Sequence, residues 1–120
     1  MSCLFNSISY FMSINSDELR NNACDYLEQN KPIINELDTN LILQFDDANY
    51  VQKMRYNTTW GGAIEIAAIC NLYNIKIIVK NLEDCKDIEF LPLCNNFNNI
   101  IYISWNGVHF EPISLLQLNF

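Results

Sequence analysis

Positive charge is scarce in this chain: seven Lys and Arg stand against fourteen Asp and Glu, for a net charge of -7. Such a chain repels a phosphate backbone instead of releasing its counterions, which argues against nucleic acid and leaves a basic protein or peptide as the better partner. Histidine is rarer still, with one in the chain, and none of the five cysteines stands in a C-x-x-C pair. One imidazole and an odd number of thiols suit neither a zinc site nor a disulfide framework, so a reducing compartment is the simpler reading. Long apolar runs are missing as well. Half the residues are hydrophobic, yet they fall in short blocks, none near the roughly 18 residues of a membrane span. Asn6, Ser7, Ser9 and Ser13 interrupt the first turns, where a secretory signal would be apolar. The expectation is a soluble, cytoplasmic protein, read as a monomer with no membrane partner. Gly and Ala are few beside Asn, Ile, Tyr and Phe, a usage that fits an A+T-rich genome such as that of a virus or protist. There is no internal repeat, linker or low-complexity tract, and 120 residues suffice for one hydrophobic core, so residues 1–120 are read as a single domain.

What is present is ordered helices first, strands last. Leu4, Ile8 and Phe11 recur at helical spacing and predict a helix from Cys3 to Met12, with Ser2 or Cys3 at its start. Ser16 is placed to cap a second helix, with Asp17 and Glu18 in its first turn and Leu19, Ala23, Tyr26 and Leu27 on one face, closed by Pro32. A third is expected from about Asp46 to Arg55, and a compact one from Ala63 to Leu72, directly after Gly61 and Gly62. Strands are expected at Ile75–Lys80, Ile88–Leu91 and Ile100–Trp105, and at Val108–Ile113 after the turn Asn106-Gly107. That order predicts an α+β architecture, with a small, mainly antiparallel sheet packed between helices.

The chemistry that this layout permits centres on a thiol and an imidazole. A cysteine reacts as thiolate, and a helix N-terminus favours that form through unpaired N–H groups and positive dipole charge. Cys3 is expected there. His109 falls on the last strand, which is placed to hold it against that helix start as a base, and Glu111, two residues on, shares its face and is placed to fix the ring. Each residue alone has an ordinary structural reading: a small buried hydrophobe for Cys3, a structural imidazole for His109, a solvated sheet residue for Glu111. Spacing leaves the choice open.

The order of motifs resembles that of the ovarian tumour (OTU) cysteine proteases over nearly the whole chain. Cys3-Leu4-Phe5-Asn6-Ser7-Ile8-Ser9 is similar to the family's nucleophile segment, and Leu19-Arg20 follows in the next helix. Tyr50-Val51-Gln52-Lys53-Met54 resembles its aromatic and methionine pair, and Thr59-Trp60-Gly61-Gly62 with Glu65, Ala67 and Ala68 is the most specific match. Ile75 to Val79 and then Gly107-Val108-His109-Phe110-Glu111 resemble the strand and the histidine segment that close the family pattern.

The resemblance implies a papain-like cysteine protease (OTU-type) architecture and hydrolysis of ubiquitin or ubiquitin-like isopeptide bonds, in host cytoplasm if the source is viral. Cys3 would be the nucleophile, His109 the base and Glu111 the orienting residue, with no metal or organic cofactor. Trp60 would either support the catalytic cleft or be ordinary aromatic core, and Glu65 is expected to be a buried anchor that accepts backbone hydrogen bonds. Two departures stand out. Only Met1 and Ser2 precede Cys3, where the family carries Asp-Gly-Asn, and Glu111 replaces the usual Asp or Asn. Loss of one oxyanion donor typically costs about 100- to 1,000-fold in rate, so the alternative expectation is a catalytically impaired ubiquitin-binding module. A peptidase acting on ordinary peptide bonds is a third.

Overall fold

A computed structural model describes residues 2–114. Five helices, α1 (Cys3–Ser9), α2 (Ser16–Glu28), α3 (Thr39–Asp46), α4 (Tyr50–Met54) and α5 (Ala63–Tyr73), precede four strands, β1 (Ile75–Asn81), β2 (Lys86–Phe90), β3 (Asn99–Trp105) and β4 (Phe110–Pro112). The sheet runs β2-β1-β3-β4. Its two outer pairings are antiparallel and the central one, β1 with β3, is parallel. The fold is α+β, as the order of elements implied.

The core forms where α1, α2 and α5 meet the central strands. Leu4, Phe5 and Ile8 of α1, Leu19 and Leu27 of α2, Ile69 of α5, Ile77 of β1 and Ile103 of β3 have no exposed surface. Each such side chain contributes about 1.5–3 kcal/mol of apolar burial, so the stripe on α1 binds the first residues of the chain to the body of the fold. Edge strand β2 buries none of its side chains fully. Lys76 and Lys80 on β1 reach across to Glu89 and Asp87 on it, and such charges discourage further strand pairing at an open edge.

Several boundaries differ from the expectation, each for a local reason. The first helix stops at Ser9 instead of Met12; Ser7 Oγ donates to the Cys3 carbonyl at 2.6 Å and Ser9 Oγ to that of Asn6 at 3.1 Å, bonds that compete with helix continuation. Asn15, not Ser16, caps α2, its Oδ1 accepting the Glu18 N–H at 2.8 Å. The helix expected over 46–55 is shorter, α4 at Tyr50–Met54, and a helix not expected, α3, precedes it; α3 ends at Asp46, and extended Asp47 turns the chain, its Oδ1 accepting the Asn49 N–H at 2.7 Å, before α4 begins. The last strand is three residues long and His109 lies just before it, in the turn that starts at Asn106.

Candidate active site

The last strand packs alongside α1, and this contact brings the two ends of the described chain together. Ser2, Cys3, Asn6 and Ser7 on one wall and His109 to Pro112 on the other enclose an open cleft of about 640 Å³. Cys3 is the first residue of α1 and is buried, with 7% of its surface exposed. Ser2 makes no side-chain cap to the helix, so the N–H groups of that first turn receive no side-chain cap. Its hydroxyl instead donates to the Asn57 carbonyl at 3.4 Å and accepts from Arg20 Nη2 at 3.3 Å.

Arg20 anchors this end of α1 from beneath. It is almost fully buried, donates through Nη1 to the Met54 carbonyl at 2.7 Å, and sits 4.4 Å from the centre of the Phe5 ring. A guanidinium stacked on an aromatic face and bonded to backbone is a geometry that Lys does not reproduce. Removal from water lowers its pKa, while the charge of Glu65 acts in the opposite direction.

His109 presents a ring with its side chain 48% exposed, and Glu111 Oε1 lies 3.6 Å from its Nε2. That separation is an ion-pair distance, too long for a hydrogen bond. The other cysteines differ in setting: burial pushes Cys24 up to about 11 and Cys70 up to about 12, and Cys85 and Cys94 are exposed away from the cleft. Thiols so disfavoured as thiolates are inert at neutral pH.

The Trp-Gly-Gly-x-x-Glu stretch builds the support behind α1. Glu65 is fully buried; its Oε1 accepts the Gly62 N–H at 2.7 Å and its Oε2 accepts the Tyr50 hydroxyl proton. Burial raises its carboxyl above the ordinary range, partly offset by those hydrogen bonds and by Arg20. The expected anchor is therefore present. A Cβ on Gly61 would stand 2.8 Å from Leu4 Cδ2 and 2.9 Å from Phe5 Cε2, whereas one on Gly62 would meet nothing within 4 Å. Gly61 is there for close approach to α1. Trp60 follows neither expectation: it is 49% exposed, lies outside the core, and lines a separate hollow with Asp46, Asp47 and Lys53 instead of the Cys3 cleft.

Sequence reasoning brought together Cys3, His109 and Glu111, and the structure places all three on one cleft. It passed over Asn6 and Ser7, which stand three and four residues after Cys3 and so share its helix face, and over Phe110 and Pro112 on the opposite wall. It also passed over Arg20 as the partner of Ser2, which no local pattern reports. Among the described residues no group of three or more His, Cys, Asp and Glu gathers to hold a metal ion, and no helix is long and apolar enough to cross a membrane.

Helices followed by a small mixed sheet, with the first helix packed against the last strand, are the α+β layout of papain-like architecture. The pattern of the OTU-like cysteine protease family matches residues 2–111, and the chain belongs to that family. It is 29% identical over 116 residues to the ubiquitin thioesterase OTU1 of Saccharomyces cerevisiae, covering 95% of this chain and 36% of that protein. It is 33% identical over 127 residues to the ubiquitin thioesterase otu2 of Schizosaccharomyces pombe, covering 92% of this chain and 41% of that one. The chain thus spans well under half the length of these relatives. Among solved structures, an OTU domain in complex with ubiquitin superposes with a TM-score of 0.75 at 30% identity, over 92% of this chain and 62% of that one. An OTU deubiquitinase from Wolbachia pipientis superposes with a TM-score of 0.71 at 22% identity, over 98% and 88% respectively, a likeness of fold.

Proposed function

We propose that this chain hydrolyses the isopeptide bond between the C-terminus of ubiquitin, or of a ubiquitin-like protein, and a lysine amine. The observation that carries the reading is that Cys3 and His109, separated by nearly the whole sequence, line one open cleft. His109 accepts the thiol proton, and Cys3 attacks the terminal carbonyl to give a tetrahedral oxyanion. The uncapped N–H groups at the start of α1 serve as backbone donors for that oxyanion. Collapse expels the lysine amine, which takes the proton from His109, and leaves a thioester; His109 then activates water to release the carboxylate and the thiol. Glu111, its Oε1 3.6 Å from Nε2, orients the ring through its charge and not through a hydrogen bond. The substrate assignment is supported by family membership and by a superposing OTU domain bound to ubiquitin.

The test uses ubiquitin carrying a C-terminal electrophile, with mass spectrometry of the adduct. We expect a covalent product on Cys3, none with Cys3→Ala, and cleavage of a ubiquitin dimer reduced by about 10²–10⁴-fold with His109→Ala. An unlabelled protein that binds ubiquitin equally well with and without these substitutions would instead be a ubiquitin-binding module. Cleavage of peptides lacking any ubiquitin fold would make it an ordinary peptidase.

A further inference from the structure

The imidazole does not sit on a strand, and the way it is held instead has a consequence for catalysis. Ladder pairing between β3 and β4 runs from Ile103–Pro112 to Trp105–Phe110 and stops one residue short of His109. Both backbone polar groups of His109 turn to a single residue. Its N–H donates to Asn106 Oδ1 at 2.8 Å, and its carbonyl accepts the Asn106 N–H at 3.2 Å. The Val108 N–H donates to the same Oδ1 at 3.0 Å. Gly107 completes the turn with φ +99°, a conformation that side-chain-bearing residues rarely adopt. The His109 side chain is about half exposed, so packing grips it weakly, and the carboxylate beside it, that of Glu111, is at 3.6 Å and itself largely exposed.

We propose that Asn106 is the positioning residue of His109: its carboxamide oxygen closes the turn and thereby aims the imidazole at Cys3. This rests on the hydrolase reading above for its catalytic consequence, but not for its structural one. Asn106 is not among the residues lining the cleft, so it acts through His109 and not on substrate. An aspartate retains an oxygen in the same place, whereas alanine removes the acceptor of both N–H groups. Because those groups lie at an exposed turn, water replaces the lost bonds and the variant folds. What is lost is the fixed direction of the segment, and a misplacement on the order of 1 Å at a reacting group costs about 100-fold in rate.

The experiment compares wild type, Asn106→Ala and Asn106→Asp in the full chain by two measurements. The first is NMR: His109 is the one histidine in the chain, so its ring protons give a single set of signals. Cross-peaks from that ring to Cys3 and Asn6 are expected in wild type and Asn106→Asp and are expected to vanish in Asn106→Ala. The second is kinetics on a ubiquitin substrate. Asn106→Ala is expected to lower kcat by about 10- to 100-fold with KM unchanged, and Asn106→Asp to restore most of it. Undiminished cross-peaks in Asn106→Ala, a wild-type ring with no cross-peaks to α1, or a kcat loss that Asp does not restore would each overturn the proposal. If wild type neither cleaves nor labels, the hydrolase reading fails, and the ring cross-peaks alone still decide whether Asn106 positions the imidazole.

Discussion

Gly61 and Gly62 stand side by side, yet alanine is expected to be costly at the first and nearly harmless at the second. At position 61 the new methyl would lie 2.8 Å from Leu4 Cδ2 and 2.9 Å from Phe5 Cε2, well inside the roughly 3.5–4.0 Å at which carbon atoms pack best. Both neighbours have no exposed surface, so neither has free space into which to retreat. Overpacking of this kind costs about 1–3 kcal/mol, against a gain of about 0.4–1 kcal/mol from the less flexible unfolded chain. The expected net loss for Gly61→Ala is about 1–2 kcal/mol, or a Tm lower by roughly 3–10 °C. For Gly62→Ala there is no clash, and the change is expected within about 1 kcal/mol of zero. Urea unfolding followed by circular dichroism measures both, with the m-value expected unchanged. Leu4→Val, which withdraws the clashing end of that side chain, should make Gly61→Ala less costly by at least about 0.5 kcal/mol in a double-mutant cycle. Equal stability of the two alanine variants, or strict additivity with Leu4→Val, would refute the claim that Gly61 exists to let α1 approach.

The buried carboxyl of Glu65 makes a pH prediction whose sign follows from the cause of its shift. Burial holds its native pKa above the ordinary value of 4.5, so between the two values the native state keeps a proton that the unfolded chain has released. Its contribution to stability is full below the unfolded value and is lost as pH rises through the raised native one. The stability difference between wild type and Glu65→Gln should therefore move against wild type as pH climbs above about 4.5, measured by urea titration; a difference that is flat or favours wild type with rising pH would contradict it. For the thiols, alkylation of the native protein at pH 8 should modify Cys85 and Cys94, which are exposed, and spare Cys24 and Cys70, which burial pushes up to about 11 and about 12. Peptide mapping checks this, and rapid native labelling of Cys24 or Cys70 would show that those sites open far more readily than their packing implies.

Much of the fold was legible because local pattern and final structure agree. The small residues and apolar cover of Ala63 to Leu72 read as a packed helix, observed as Ala63–Tyr73, and β1 and β3 read as strands from their β-branched runs. Helix α3 escaped notice because it buries only Thr39 and Leu43 and leaves Leu41 and Phe45 exposed, which blurs the apolar stripe that marks an amphipathic helix. The short strand β4 was read too long because alternation continues through Val108 and His109 while the ladder does not.

For the site, the sequence by itself determined the chemical types and their order: a thiol opening the first helix, one imidazole near the end, a carboxylate two residues later, an acid three residues after the glycines. Tertiary structure alone decided that β1 and β3 run parallel, that β4 lies beside α1, that Arg20 reaches Ser2, and that Gly61 rather than Gly62 is sterically required. The division has a physical cause. Periodicity and capping are set by residues within a turn or two of one another, and a strand pattern reports which face is buried but not which strand is its neighbour. Contacts between residues far apart in the chain depend on how whole elements pack.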